Sequence, residues 1–163
     1  MPRITPCLWF DTQAEEAANF YASIFNNSSV GKITRYTDAD YPGGEESAPG
    51  KVLTVDFELD GQKFTSINGG PIFQFSEAVS MVVDCKDQTE VDYYWDALLA
   101  GGGQPSQCGW LKDKFGFSWQ ITPVELYDLV SDPNPAKAKR ATEAMLKMVK
   151  LDIAELKKAH AGG

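Results

Sequence analysis

Ser80-Met81-Val82-Val83-Asp84-Cys85 opens the stretch on which the fold turns, and Pro123 closes it. Those six residues read as a strand, and Asp87 with Glu90 three positions on offers a reciprocal helix start. Val91, Tyr94, Trp95, Leu98 and Leu99 then form an apolar stripe at helical spacing, and Gly101-Gly102-Gly103 supplies a C-cap and a flexible exit. The run Cys108-Gly109-Trp110-Leu111-Lys112-Asp113-Lys114-Phe115-Gly116-Phe117-Ser118-Trp119-Gln120-Ile121 follows as a hairpin turning at Asp113–Gly116. Displaced by 74 residues, Ala17, Phe20, Tyr21, Ile24 and Phe25 repeat the helix stripe at all five positions. The pattern is an internal duplication.

The first copy spells out the same plan at greater length. Residues 3–10 alternate Ile4, Pro6, Leu8 and Phe10 against Arg3, Thr5, Cys7 and Trp9, as a strand covered in part on both faces does. Thr12 with Glu15 predicts a capping box for the first helix, which Asn26-Asn27 ends. A more polar strand over 28–37 leads to an acidic Gly/Pro-bearing loop, 38–50, read as a flap or surface padding. Asp60-Gly61 then predicts a type I′ hairpin that sets Leu59 against Gln62, Phe57 against Phe64, Val55 against Ser66 and Leu53 against Asn68. Ser66 and Asn68 so emerge as polar side chains on an otherwise apolar face.

Beyond Pro123 the pattern turns helical, with a short turn at 124–130, breaks at Pro133 and Pro135, and a stripe of Ala138, Ala141, Met145 and Met148. Asp152 starts a last short helix. We place a domain at 1–132, with repeat one at about 3–70 and repeat two at about 73–123, and a helical extension at 133–163.

The chain of 163 residues carries a formal net charge of −8, which disfavours nucleic acid and anionic lipid as partners. Residues 133–163 hold seven Lys/Arg against three Asp/Glu, so the tail is +4 and the remainder −12. Such asymmetry fits a tail folded onto its own acidic body, onto a second copy, or a plain solvated face. Three widely spaced cysteines, Cys7, Cys85 and Cys108, with no signal-peptide layout, point to a reduced, cytoplasmic protein. No apolar run approaches the roughly 20 residues that span a bilayer.

Trp9-Phe10, Phe20-Tyr21, Ile67-Asn68-Gly69-Gly70, Cys108-Gly109-Trp110 and the run Asp113–Gln120 followed by Ile121 and Pro123 give the chain a family resemblance. Over residues 3–123 it resembles the vicinal-oxygen-chelate superfamily of glyoxalase I, bleomycin-resistance proteins and extradiol dioxygenases. It is most similar there to the PhnB-like group, also called the 3-demethylubiquinone-9 3-methyltransferase domain family. The resemblance implies an α+β fold of two βαβββ repeats forming a cupped mixed sheet, here followed by C-terminal helices, and a homodimer.

Metal-dependent members of that superfamily place ligands on the first and last strands of each repeat. By resemblance those positions fall near Thr5, at Ser80, at Gln120, and at Ser66 or Asn68, and none is His, Asp or Glu. Neutral amide and hydroxyl oxygens bind divalent transition metals weakly, so no metal and no other cofactor is expected. The only histidine is His160, near the C-terminus.

A Rossmann-type methyltransferase needs a glycine-rich turn between strand and helix, which neither helix start here has. Cys108 lacks a histidine base to activate it as a nucleophile and reads instead as a small buried hydrophobe. Trp9 and Trp110 are the aromatic candidates for a flat ligand, Trp95 is core, and Met145 and Met148 are core or a dimer contact. The candidate ligand-binding set is therefore Thr5, Trp9, Ser66, Asn68, Ser80, Cys108, Trp110 and Gln120, with no catalytic residue assigned. The expected function is binding of a small organic molecule in a metal-free pocket. The alternatives are metal-assisted lyase, isomerase or dioxygenase chemistry, methyl transfer as the family label suggests, or a partner-binding module.

Overall fold

A computed structural model describes residues 3–39, 41–42 and 44–163. The chain divides into two compact units, residues 1–75 and 76–163. In the first, β1 (Cys7–Phe10) leads to α1 (Ala14–Ile24), β2 (Ser29–Arg35), β3 (Val52–Leu59) and β4 (Gln62–Asn68). These strands make one sheet in the order β1-β4-β3-β2, with β1 parallel to β4 and the other pairs antiparallel. Pro6 has no N–H to give the ladder, so β1 begins after it, although the Pro6 carbonyl still accepts from Thr65 N at 3.0 Å.

The hairpin register is the one its turn dictates: Leu59 opposes Gln62, Phe57 opposes Phe64 and Val55 opposes Ser66. Asp60 and Gly61 both take positive φ, 47° and 79°, as a type I′ turn requires. The stripe on α1 buries Ala17, Tyr21 and Ile24 completely or nearly so, and the Tyr21 ring lies 6.2 Å from that of Phe57. Hence Val55, Phe57, Leu59, Phe64, Leu8 and Phe10, all buried, form the helix-covered face.

One local expectation fails. The N-cap of α1 is Gln13, which makes no side-chain cap bond, and no Thr12–Glu15 box forms. Asn68 does the work from a distance: its Oδ1 accepts from Ala14 N at 2.8 Å, and its Nδ2 donates to Val52 O at 3.1 Å. The register pairs Asn68 with Phe10, the last residue of β1, which brings its amide to the helix start. The Asn68 carbonyl also accepts a short bond from the Tyr36 hydroxyl.

The 38–50 loop folds back on the end of β2 through a single 3-10 turn, Gly44–Ser47, while Asp40 and Gly43 lie outside the described residues. Tyr36 N donates to Lys51 O and Gly50 N to Tyr36 O, each at 2.9 Å, which ties both ends of the loop to one residue.

The second unit repeats the plan with β5 (Ser80–Cys85), α2 (Gln88–Leu99), β6 (Gln104–Pro105), β7 (Trp110–Lys112) and β8 (Ser118–Pro123). Its sheet runs β5-β8-β7-β6, again with the first pair parallel. Asp87 accepts from Glu90 N at 2.9 Å, and Glu90 accepts in return from Lys86 N at 2.9 Å. Val91, Trp95 and Leu98 are the buried part of the α2 stripe. The expected α+β architecture of two βαβββ repeats followed by C-terminal helices is therefore present.

Three helices complete this unit: α3 (Glu125–Val130), α4 (Pro135–Met145) and α5 (Ile153–Ala161). They pack around Leu126, Leu151 and Leu156, with Met145 and Met148 against that cluster, so the methionine stripe is core. Gln88 clamps the tail to the start of α2, donating to Leu151 O at 3.1 Å and accepting from Ile153 N at 2.9 Å. The basic residues of the tail pair with acidic ones of the same unit: Lys150 with Asp92 at 2.8 Å, Lys157 with Glu125 at 2.5 Å and His160 with Asp132 at 2.8 Å. Lys150 and then Gln88 hold the Asp92 carboxyl below its ordinary pKa; the Asn134 N–H and then His160 do the same for Asp132.

Asn68→Ala leaves a buried N–H and a carbonyl without partners and should lower the unfolding free energy by about 2–4 kcal/mol in urea titrations. Thr12→Ala should change it by less than about 0.5 kcal/mol, since Thr12 carries no cap. Because the folded-state pKa values of Asp92 and Asp132 are depressed, their contribution is present above the ordinary carboxylate range and is lost as pH falls through and below about 4. Thermal melts of Asp92→Asn/Asp132→Asn between neutral and acid pH should accordingly show a shallower loss of stability than the parent chain.

Candidate functional site

Each sheet has a helix on one face, and the polar chemistry collects on the other. In the first unit the register sets Ser29, Glu58 and Lys63 side by side, then Asp56, Thr65 and Cys7, then Thr34, Thr54, Ile67 and Trp9. These residues alternate with the buried ones and so stand on the open face. A cleft of about 370 Å³ lies there, lined by Arg3, Thr5, Ser29, Asp56, Glu58 and Lys63 together with the bare backbone at Gly31. Its volume is near the lower end of the roughly 300–1,000 Å³ typical of ligand pockets.

Of the sequence candidates, Thr5 lines this cleft and Trp9 stands on the same face, but Ser66 and Asn68 do not. Both point to the helix-covered side, where Ser66 is fully buried and donates to Val55 O at 3.0 Å and Asn68 caps α1. The expectation that Ser66 and Asn68 face a ligand alongside Ser80 and Gln120 does not hold, because the apolar face they share is the one α1 covers.

Trp9 is held under the loop after β4. Its Nε1 donates to Gly70 O at 2.9 Å, and its ring meets Phe73 edge-on at 4.9 Å. A Cβ at Gly69 would sit 2.1 Å from the Trp9 ring, so only glycine admits the indole. Ile67-Asn68-Gly69-Gly70 is thus a structural motif: an open-face residue, a remote helix cap, a gap for Trp9 and an acceptor for its N–H.

In the second unit the open face carries Ser80, Ser118 and Lys112 in one row and Val82, Gln120 and Trp110 in the next. Gln120 Nε2 donates to Ser80 Oγ at 2.9 Å, so these two candidates meet, with Trp110 beside them in the register. Lys112 pairs with Glu77 at 2.5 Å, and this contact lowers the Glu77 pKa. Ser118, absent from the candidate set, is 1% exposed, and its hydroxyl is the buried side-chain polar group without a hydrogen-bond partner among the described residues. Its position next to Gln120 on the alternating strand was the only available signal.

Asp113 anchors the hairpin that presents this row. It is buried, and its carboxylate accepts from Phe115 N at 2.9 Å, Phe117 N at 3.0 Å and Trp119 Nε1 at 2.9 Å. Trp119 therefore belongs to the core side. Cys108 lies in the loop before β7 with φ 58°, and it and Gly109 donate to the carbonyls of Met148 and Val149 at 2.8 Å. Cys85 is buried among Glu90, Asp84 and Asp87, and burial first, then their charge, pushes its thiol up to about 12. His160, held by Asp132, stands by neither thiol in sequence or element.

The register shows which residues of the two units are equivalent. Ser80 pairs with Ser118, two residues before Gln120; the equivalent first-unit pair is Cys7 with Thr65, two residues before Ile67. By register the first-unit equivalents of Ser80 and Gln120 are Cys7 and Ile67. A thiol, an alkyl side chain, a hydroxyl and an amide do not suit a divalent site, and desolvation raises the Cys7 thiol pKa further from thiolate. Among the described residues, no three His, Cys, Asp or Glu side chains gather as a metal site would need.

Residues 2–122 match the family described as 3-demethylubiquinone-9 3-methyltransferase. The chain belongs to this PhnB-like family. A solved structure of the PhnB protein from Bacillus cereus, given provisionally as a 3-demethylubiquinone-9 3-methyltransferase, is 36% identical. It is covered over its full length by 76% of this chain, with a TM-score of 0.65. Protein PA1353 from Pseudomonas aeruginosa shares the fold at 16% identity, with a TM-score of 0.61 over 76% of this chain and 98% of that one. A comparison with curated proteins gave no match. No helix among the described residues is long and apolar enough to cross a membrane.

Ser118→Ala removes a buried hydroxyl that has no partner, and should leave stability unchanged or raise it by about 1 kcal/mol in urea titrations. A loss of more than about 1 kcal/mol would mean that the hydroxyl is bonded in the folded chain.

Proposed function

We propose that this PhnB-like protein binds a small organic molecule on the open sheet faces without a metal ion, as bleomycin-resistance-like members of the superfamily sequester theirs. The observation that carries this reading is the cleft on the first sheet, where polar side chains converge on a concave surface with Thr5 at its edge. The pair Ser80–Gln120, with Trp110 beside it, offers hydrogen bonds and an aromatic wall on the second sheet. In the same reading the chain works in the cytoplasm as a homodimer, for which the exposed Ile72, Phe73, Val79 and Val82 supply apolar surface. The donors at the superfamily ligand positions favour a metal-free site over metal-assisted lyase, isomerase or dioxygenase chemistry.

The family description favours a second reading, methyl transfer. A cofactor bound at a helix start would need free N–H groups there. At α1 the Ala14 N–H is taken by Asn68, and at α2 the Glu90 N–H is taken by Asp87. Neither strand-to-helix turn is glycine-rich.

Protein purified without chelator should carry no stoichiometric metal, and Mg²⁺, Mn²⁺, Zn²⁺, Ni²⁺ or S-adenosylmethionine should produce no saturable rise in Tm. Saturable stabilisation by a metal ion would move the assignment to a metalloenzyme, and by S-adenosylmethionine to methyl transfer.

A further inference from the structure

We infer that the cleft on the first sheet selects a small zwitterion, with an ammonium group held by Asp56 and Glu58 and an oxyanion held by Arg3 and Lys63. The inference rests on the small-molecule reading above and adds the ligand class. Four formal charges of both signs line the cleft. Glu58 and Lys63 are direct cross-strand partners on the open face, the arrangement in which opposite charges ordinarily close on one another. They do not close here: among the described residues, no ion pair or side-chain hydrogen bond engages the charged groups of Arg3, Asp56, Glu58 or Lys63.

Five lysines elsewhere, Lys51, Lys86, Lys112, Lys150 and Lys157, each meet a carboxylate within 3.4 Å, so opposite charges that stand side by side on this chain can close on one another. The cleft therefore keeps two cations and two anions available around one volume.

The balance of charge decides the ligand class. The lining sums to zero on a chain whose net charge is −8, so a lone anion meets long-range repulsion with no net local attraction. A lone cation meets Arg3 and Lys63 within the cleft itself. A molecule carrying both signs satisfies both pairs and leaves neither a carboxylate nor a cation facing a like charge. Thr5 and Ser29 add hydroxyl groups that serve donors or acceptors. Gly31 contributes backbone alone to the lining.

The test is an NMR-detected titration of the full chain with β-alanine, γ-aminobutyrate and ε-aminohexanoate, set against the amine and the carboxylate of each chain length. A set of neutral fragments is titrated in parallel. At least one zwitterion should shift the amides of Asp56, Glu58 and Lys63 and bind at least tenfold more tightly than either singly charged control. Asp56→Asn/Glu58→Gln should reduce its affinity to that of the carboxylate, and Arg3→Gln/Lys63→Gln to that of the amine. Unchanged melting curves will show that both variants fold.

Zwitterions that bind no better than the controls, or equally well to both variants, overturn the inference. Neutral fragments binding in the cleft in their place would overturn it while leaving the small-molecule reading intact. Binding of no compound of any class would overturn both.

Discussion

Asn68 is the side chain through which the first unit is joined. It stands on β4 beside the end of β1, takes the first free amide of α1 and donates to the carbonyl of Val52 at the start of β3. Its own carbonyl receives the Tyr36 hydroxyl from the end of β2. One residue thus fixes the helix, three strands and the approach to the 38–50 loop in a setting where unpaired polar groups are costly. A local cap such as Thr12 could satisfy the helix but could not set its position over the sheet. Asp113 plays the matching part in the second unit, gathering two backbone amides and the Trp119 indole into the turn of the β7–β8 hairpin.

Fixing a helix on one face of the first sheet leaves most of the opposite face free of close packing. The consequence is visible in the alternation. Leu8, Phe10, Val55, Phe57 and Phe64 on the covered side are all buried, whereas Cys7, Asp56 and Lys63 on the open side are exposed. The chemistry available for binding therefore follows from strand period and helix placement before any ligand is considered. The Gly69 gap belongs to the same logic, because it lets Trp9 lie against the loop after β4 rather than project freely.

Much of this was legible in the sequence, and the gaps have physical causes. The two helix stripes, the Asp60-Gly61 turn, the hairpin register and the Asp87 helix start each depend on neighbours close in sequence, where spacing alone carries the information. The cap of α1 spans 54 residues, and no local pattern distinguishes Asn68 from a pocket-facing amide. Ser66 and Asn68 were grouped correctly with apolar neighbours, yet which side the helix takes is a property of the assembled unit. The reverse error hid Asp56, Glu58 and Lys63, since charged residues alternating with apolar ones read as ordinary solvent-facing positions. Only the β1 extension, which brings Arg3 and Thr5 to the same cleft, marks them as a group.

The two units show how far a duplicated backbone can diverge in chemistry while keeping its geometry. Equivalent pairings set Thr54 and Asp56 of β3 against Trp110 and Lys112 of β7, and Thr65 and Ile67 of β4 against Ser118 and Gln120 of β8. Across the same register, Cys7 and Trp9 of β1 correspond to Ser80 and Val82 of β5. Of these open-face pairs only Thr65 and Ser118 keep their chemistry, a small hydroxyl, whereas the covered faces keep an apolar core in both copies, with Val55 and Phe57 in one, around the buried Ser66 and Asn68, and Leu111 and Ile121 in the other. Packing constrains the covered residues through volume and water exclusion. The open ones answer to whatever meets that face. In the first unit this has left a charge-balanced cleft, and in the second a neutral hydrogen-bonded pair beside an indole. A binding protein can acquire a new ligand by exchanging such residues without disturbing its core, because the open-face positions carry no part of the packing that holds the helix to the sheet.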